Sequence, residues 1–286
     1  MKTKQDFNLT EFNSYKISAT CKRAFFPETS ADFITIYKEY FDSPKIILGG
    51  GYNVILSKPS YEEDFILIGE SFANTEFSTN GIVEIESGAD LRKISELAYS
   101  EGLSGLEVFC DIPSSLGGAV VMNAGASGVE IKDVLIKAQY LDLEDFLIKE
   151  ISVDEIGFEY RNSFFQRNTD KIILKAWLQL KDGKPKAIRE KMDLIKKARW
   201  QKQPREFPNA GSVFKRPEGH YVGTMVESLG LKGYSIGGAK ISEKHAGFIV
   251  NFKNASGKDI LDLIHHVQAK VKEKYKVDLE VEQRVI

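Results

Sequence analysis

Between Asp111 and Gly128 the chain reads DIPSSLGGAVVMNAGASG, four glycines among small residues over 18 positions. Side chains of that size fill little core volume, so backbone there must come close to another segment or to a large, flat or charged ligand. Upstream, KIILGGGYNVIL places Gly49, Gly50 and Gly51 directly after a run of strand formers. Glycine lets backbone N–H groups approach an anion and adopt positive φ, so this turn can cradle a pyrophosphate. The plainer readings, a tight connection and a glycine-rich crossing of two elements, stay open. The first cluster is not GxGxxG and no long helix follows it, which removes a Rossmann reading. No GKS or GKT tail follows either cluster, which removes a P-loop.

Around these clusters strands and helices mix. Strand patterns cover 45–48, 65–69, 81–87, 134–143, 147–153 and 172–180. In the last, Leu174, Ala176, Leu178 and Leu180 share one face at the period of a half-buried strand. Helical spacing links Leu91, Ile94, Leu97 and Ala98 after a cap at Asp90, with Gly102 as the stop. A strongly basic helix carries Ile188, Met192 and Ile195, and another carries Ile260, Ile264, Val267 and Val271 behind Ser256 and Asp259. Such mixing predicts an α+β chain rather than a regular βαβ alternation. At 286 residues it has room for two or three domains. The basic helix and the loop QKQPREFPNAG mark the main boundary, and 80–87 a weaker one.

A net charge of −2 gives no reason to expect nucleic acid or an anionic membrane as partner. Cys21 and Cys110 are too far apart for a paired metal or redox motif and suit a reduced compartment. The N-terminal MKTKQDFNLTEFNSYK has no apolar signal core, and no apolar run has the length of a membrane span. The expectation is a cytoplasmic protein, compatible with a monomer.

Three later segments hold the reactive groups. FEYRNSFF carries Tyr160, Arg161, Asn162 and Ser163 between aromatics; NAGSVFKRP carries Ser212, Lys215 and Arg216. LEVEQRVI alternates Glu280, Glu282 and Arg284 along one strand face, so alternation cannot separate the two glutamates. Each also has a bland reading: a stacked surface arginine, a simple Gly-Ser turn, a solvated strand edge. Ser212 lacks the G-x-S-x-G frame of a hydrolase. His220, His245, His265 and His266 lack metal-ligand spacing, so no metal site is expected.

In this order GGGYNVIL, IPSSLGGAVVMNAGASGVEIKDV, YRNSFF, NAGSVFKRP, GLKGYSIGGAKISEKHAGFIVN and LEVEQR resemble the UDP-N-acetylenolpyruvoylglucosamine reductase family. The match spans roughly 45–286, with a looser one in FNSYKISATCKRAFFP. The IP…GGA…NAGA run is shared with FAD proteins of the vanillyl-alcohol-oxidase type, whereas GSVFKRP with GGAKISEKHAGFIVN is specific to the reductases. The resemblance implies a two-lobed FAD-binding part, lobes at 1–80 and 81–202, and a C-terminal α+β substrate domain at 203–278. The last strand, 279–286, returns to the flavin lobes. It further implies non-covalent FAD, with pyrophosphate against Gly49, Gly50, Gly51 and Asn53 and a lining of Ile112, Gly117, Gly118 and Ala119. By the same resemblance, NADPH would reduce the flavin and leave, and the enolpyruvyl ether of UDP-N-acetylglucosamine would then take the hydride and become UDP-N-acetylmuramate, in peptidoglycan precursor synthesis.

The implied catalytic residues are Arg161 and Glu282 on the developing enolate and Ser212 as proton donor. Glu282 assists only when protonated. Tyr160, Lys202, Lys215 and Arg284 are the implied ligand-binding residues. The chain departs from the family pattern at Ser18–Ala19, Asp111, Ser114 and Gln283, the last a position where valine is usual. The stretch from Arg161 to Lys202 is short and lacks the tyrosine-bearing insertion of the longer family type. Competing expectations are another FAD oxidoreductase on this scaffold, such as an alcohol or sugar oxidase, and a non-catalytic nucleotide-binding module. No histidine precedes His220 to tether a flavin, and Cys110 is the other conceivable tether. Intact Arg161, Ser212 and Glu282 argue against a mere binding module.

Overall fold

The computed structural model describes residues 1–286. Its contacts divide the chain into two compact units. The first comprises Met1–Thr3, Ala24–Gly50 and Phe65–Ala198, the second Lys4–Arg23, Gly51–Asp64 and Arg199–Ile286.

An antiparallel five-stranded sheet organises the first unit, in the order Ile148–Ser152, Leu135–Asp142, Lys171–Gln179, Ile82–Glu86, Thr75–Phe77. The expected period-two face holds in part: Ala176, Leu178 and Leu180 are buried in one core, whereas Leu174, at an irregularity in the pairing with Leu135–Asp142, is buried in another. Ala176 sits opposite Ile85 and Leu178 opposite Val83. The helix Leu91–Ser100 forms where its spacing predicts, its first N–H groups held by the Asp90 carboxylate. It buries Leu91, Ile94 and Ala98 in the same core as Val83, Ile85, Ala176 and Leu178, whereas Leu97, expected on that face, is exposed. A second core gathers Phe25, Phe33, Ile36, Ile66, Phe72 and Leu174. Phe33 and Ile36 come from the helix Ser30–Glu39 and are fully buried, each contributing roughly 1.5–3 kcal/mol by leaving water.

In the second unit the strands Ser235–Ile236, Ala239–Ile241 and Ile249–Asn251 form an antiparallel sheet. The helix Gly257–Tyr275 packs on it through Ile260, Leu263, Ile264, Val267 and Val271. Its start is the capping box expected from Ser256 and Asp259: each side chain accepts the other's backbone N–H, at 3.1 and 2.9 Å. The terminal strand Arg284–Val285 runs parallel to Val54–Ile55. No helix of the chain is long and apolar enough to cross a membrane.

Candidate active site

In the first unit the two glycine clusters meet. Gly49 leaves the strand Lys45–Leu48, and a Cβ there would lie 2.4 Å from Ser115 Oγ. Ser115 caps the helix Leu116–Met122, its hydroxyl accepting from Gly118 N at 3.3 Å. A Cβ on Gly117 would come within 3.0 Å of Ser87 Cβ, and Gly117 N donates to Ser87 O at 2.8 Å. Three segments thus converge where the glycines carry no side chain. Ser87 Oγ and Asn123 Oδ1 are buried there without a hydrogen-bond partner, an uncommon state that calls for a reason. Ile112 packs at the edge of the main core and Ala119 lies inside it.

Arg161 stands in the same unit, at the tip of a turn closed by reciprocal backbone bonds between Glu159 and Asn162 at 3.1 and 3.2 Å. Its φ of +56° is left-handed, a conformation that a side-chain-bearing residue adopts at a cost. Two carbonyl oxygens hold its guanidinium, Asn123 O at 3.2 Å and Gly125 O at 2.9 Å. Glu130 lies at 3.8 Å. The head group stands over the half-exposed ring of Tyr160, 5.0 Å from its centroid. Asn123, itself left-handed, donates to Glu159 O at 3.1 Å and so ties the turn to the end of the glycine-bearing helix.

In the second unit the residues around Ser212 and Glu282 are paired strand to strand. Glu282 N donates to Val213 O at 2.8 Å and Lys215 N to Glu280 O at 2.9 Å. Ser212 faces Phe248 across an isolated antiparallel bridge, is exposed, and its hydroxyl makes no hydrogen bond within the protein. The structure separates the two glutamates that alternation could not. Glu280 is exposed and pairs with Lys215 at 2.6 Å, whereas Glu282 is half-buried. Gly51 has φ +66° and a Cβ there would lie 2.0 Å from Phe12 O, so only glycine fits. Asn53 Nδ2 donates to Glu282 O at 3.2 Å, and Arg284 N to Asn53 O at 2.9 Å. Asn53 therefore holds the strand that carries Glu282. The side chains of Lys202 and Arg284 are exposed. No group of three or more His, Cys, Asp or Glu side chains is placed to hold a metal ion.

Residues 203–286 match the model for the C-terminal domain of UDP-N-acetylenolpyruvoylglucosamine reductase, and residues 22–145 match an FAD binding domain. The chain is 40% identical to the UDP-N-acetylenolpyruvoylglucosamine reductase of Petrotoga mobilis, over 99% of this chain and 94% of that one. The chain belongs to the UDP-N-acetylenolpyruvoylglucosamine reductase family. The reductase of Caldanaerobacter subterraneus subsp. tengcongensis is 41% identical, over 96% of this chain and 90% of its own length. Among solved structures, the reductase from Thermus caldophilus superposes with a TM-score of 0.83 at 30% identity, covering 99% and 98% of the two chains. A flavin-binding part plus a reductase C-terminal domain is therefore the architecture of this family member, as the resemblance implied, and an unrelated oxidase or a bare binding module is not favoured.

The residues of the first unit fit FAD. Gly49 and Gly117 lie where a Cβ would meet Ser115 Oγ at 2.4 Å and Ser87 Cβ at 3.0 Å, in a cluster of small side chains that leaves a flat ligand unobstructed and Ser87 Oγ and Asn123 Oδ1 without a protein partner. Sequence reasoning missed Ser87, Ser115 and Asn123, the residues through which the second cluster meets Gly49, Ser87 and Arg161. Asn123 was legible in part, as the left-handed-tolerant residue of NAGA; a lone serine in ESGAD carries no such signal.

Proposed function

We infer that the chain reduces the enolpyruvyl ether of UDP-N-acetylglucosamine to UDP-N-acetylmuramate with NADPH as electron source, in the cytosol, supplying peptidoglycan precursor synthesis. The observation that carries the residue assignment is the strand pairing of Val213 with Glu282, which sets Ser212 and Glu282 on adjacent backbone segments. The chemistry a bound FAD supplies is hydride relay, from NADPH to the terminal enolpyruvyl carbon. Gly49, Gly50, Gly51 and Asn53 take its pyrophosphate, and Ile112, Gly117, Gly118 and Ala119 line it. The flavin lobes are 1–80 and 81–202, and the substrate domain is 203–278, followed by the returning strand 279–286.

As hydride arrives, negative charge spreads into the substrate carboxylate, and donors already in place lower that barrier most. Arg161 gives a planar fork for carboxylate, held by Asn123 O and Gly125 O so that little ordering is left for the reaction step. Glu282 in its protonated form donates to the same developing charge. Ser212 delivers the proton to the neighbouring carbon, its hydroxyl being committed to no protein group. Tyr160, Lys202, Lys215 and Arg284 bind the anionic ligand, Lys215 by exchanging Glu280 for it.

Ser212→Ala tests the assignment in two half-reactions. Flavin content and reduction by NADPH should persist, while reduction of the enolpyruvyl sugar should fall by roughly 10²–10⁴-fold. Ser212→Cys should regain part of that rate. Turnover within a few-fold of wild type in Ser212→Ala means that the proton comes from another group.

A further inference from the structure

Gln283 is 3% exposed, and a buried amide is costly unless its hydrogen bonds are made. Its Nε2 lies 3.1, 3.3 and 3.4 Å from the carbonyl oxygens of Ala210, Gly211 and Ser212. Its Oε1 accepts from the hydroxyl of Tyr15 at 2.9 Å, and Tyr15 is fully buried. The backbone of Tyr15 is fixed in turn, since Asn251 Nδ2 donates to Tyr15 O at 2.8 Å and Asn251 Oδ1 accepts from Ala255 N at 2.7 Å. One chain of hydrogen bonds therefore runs from the start of the last helix to the carbonyls of the turn that carries Ser212.

That turn needs an outside restraint. Gly211 has φ +81°, and a Cβ there would meet nothing within 4 Å, so packing does not fix the peptide planes before Ser212. Ser212 and Val213 are anchored on one side, through Phe248 and through Val213 N donating to Gly247 O at 3.1 Å. On the other side Glu282 N donates to Val213 O at 2.8 Å, Asn209 Oδ1 accepts from Gly211 N at 3.2 Å, and the Gln283 amide holds the carbonyls that precede Val213. It adjoins Glu282 in sequence, so one side chain links the turn of Ser212 to the strand of Glu282.

We propose that Gln283 is a positioning residue for substrate reduction, acting by clamping the carbonyls of Ala210–Ser212 so that the Ser212 hydroxyl is aimed. This rests on the proton-donor reading of Ser212. A misplacement of about 1 Å at a reacting group costs on the order of 10²-fold in rate, so release of the clamp should show in the saturating rate rather than in ligand affinity.

The test uses the FAD-loaded enzyme in anaerobic stopped flow, with Gln283→Met and Gln283→Glu. Methionine keeps the volume and removes both kinds of bond. Ionised glutamate keeps the acceptor for Tyr15 but has no hydrogen to give the carbonyls; protonated, it has one again. Both variants should be reduced by NADPH within about twofold of wild type and should reduce the enolpyruvyl sugar roughly 10- to 100-fold more slowly at saturation. In Gln283→Glu that rate should recover as pH falls, and in Gln283→Met it should not. Gln283→Met added to Ser212→Ala should slow substrate reduction no further. A wild-type saturating rate in Gln283→Met, whatever its melting temperature, overturns the proposal. So does a slow rate in Gln283→Glu that is flat with pH, or an undiminished effect of Gln283→Met in the Ser212→Ala background. Failure of the Ser212 reading would appear separately, as Ser212→Ala alone turning over near normally.

Discussion

Gly49→Ala offers a quantitative check on how the two glycine clusters meet. The backbone at Gly49 is not left-handed, so alanine brings no conformational penalty of its own. Its Cβ would stand 2.4 Å from Ser115 Oγ, and the next neighbour, Ser115 Cβ at 3.5 Å, is an ordinary contact. One hydroxyl is therefore the whole obstruction. The cheapest relief is rotation of Ser115 about χ1, which carries Oγ away from Gly118 N, now 3.3 Å distant. The cost is then that of losing a helix N-cap, about 1 kcal/mol. Ser115→Ala should cost the same about 1 kcal/mol, because it deletes the same cap. The double variant should cost no more than either single one, so the cycle should close with about 1 kcal/mol of non-additivity. Thermal unfolding of the flavin-free protein, where a change in FAD affinity cannot contribute, reads this as a shift of about 2–4 °C in each single variant. The reasoning fails if Gly49→Ala costs several kcal/mol that Ser115→Ala does not recover, or if the two losses add.

Gly50→Val should purify with less FAD, since a branched side chain there blocks an anion from the backbone; undiminished flavin would remove Gly50 from the pyrophosphate site. Arg161→Ala should leave reduction by NADPH largely intact and slow substrate reduction by on the order of 10²–10³-fold, with equal damage to both half-reactions pointing to general binding instead. Burial, reinforced by Lys232, holds the His245 imidazole below its ordinary value of 6.5, and its Nδ1 accepts from Gly247 N at 3.1 Å. A depressed folded pKa contributes stability above the unfolded value that is lost as pH falls through the folded one. His245→Asn, which offers an acceptor that does not titrate, should therefore flatten the loss of stability below about pH 6.5; an unchanged slope in denaturant titrations would assign that loss to other groups.

Much of this protein was legible in its sequence because the signals are local. Period-two burial placed the strand Lys171–Gln179, and caps at Asp90 and Ser256 placed two helices. The motif order pointed to the family. Other elements left no such trace. The strand Lys2–Asn8 is almost entirely exposed and so has no apolar period. The helix Leu116–Met122 contains two glycines and two valines, poor helix formers, and is held by the Ser115 cap and by packing. What only the tertiary structure decided are meetings between residues far apart in the chain. Gly49 against Ser115, Arg161 against the carbonyls of Asn123 and Gly125, and Tyr15 against Gln283 are examples. It also separated Glu280 from Glu282, which strand alternation leaves equivalent, by pairing one with Lys215 and half-burying the other. Periodicity reports which face of one element is buried. It carries no information about which distant backbone carbonyl a side chain will find, because that choice is made when packing brings the elements together.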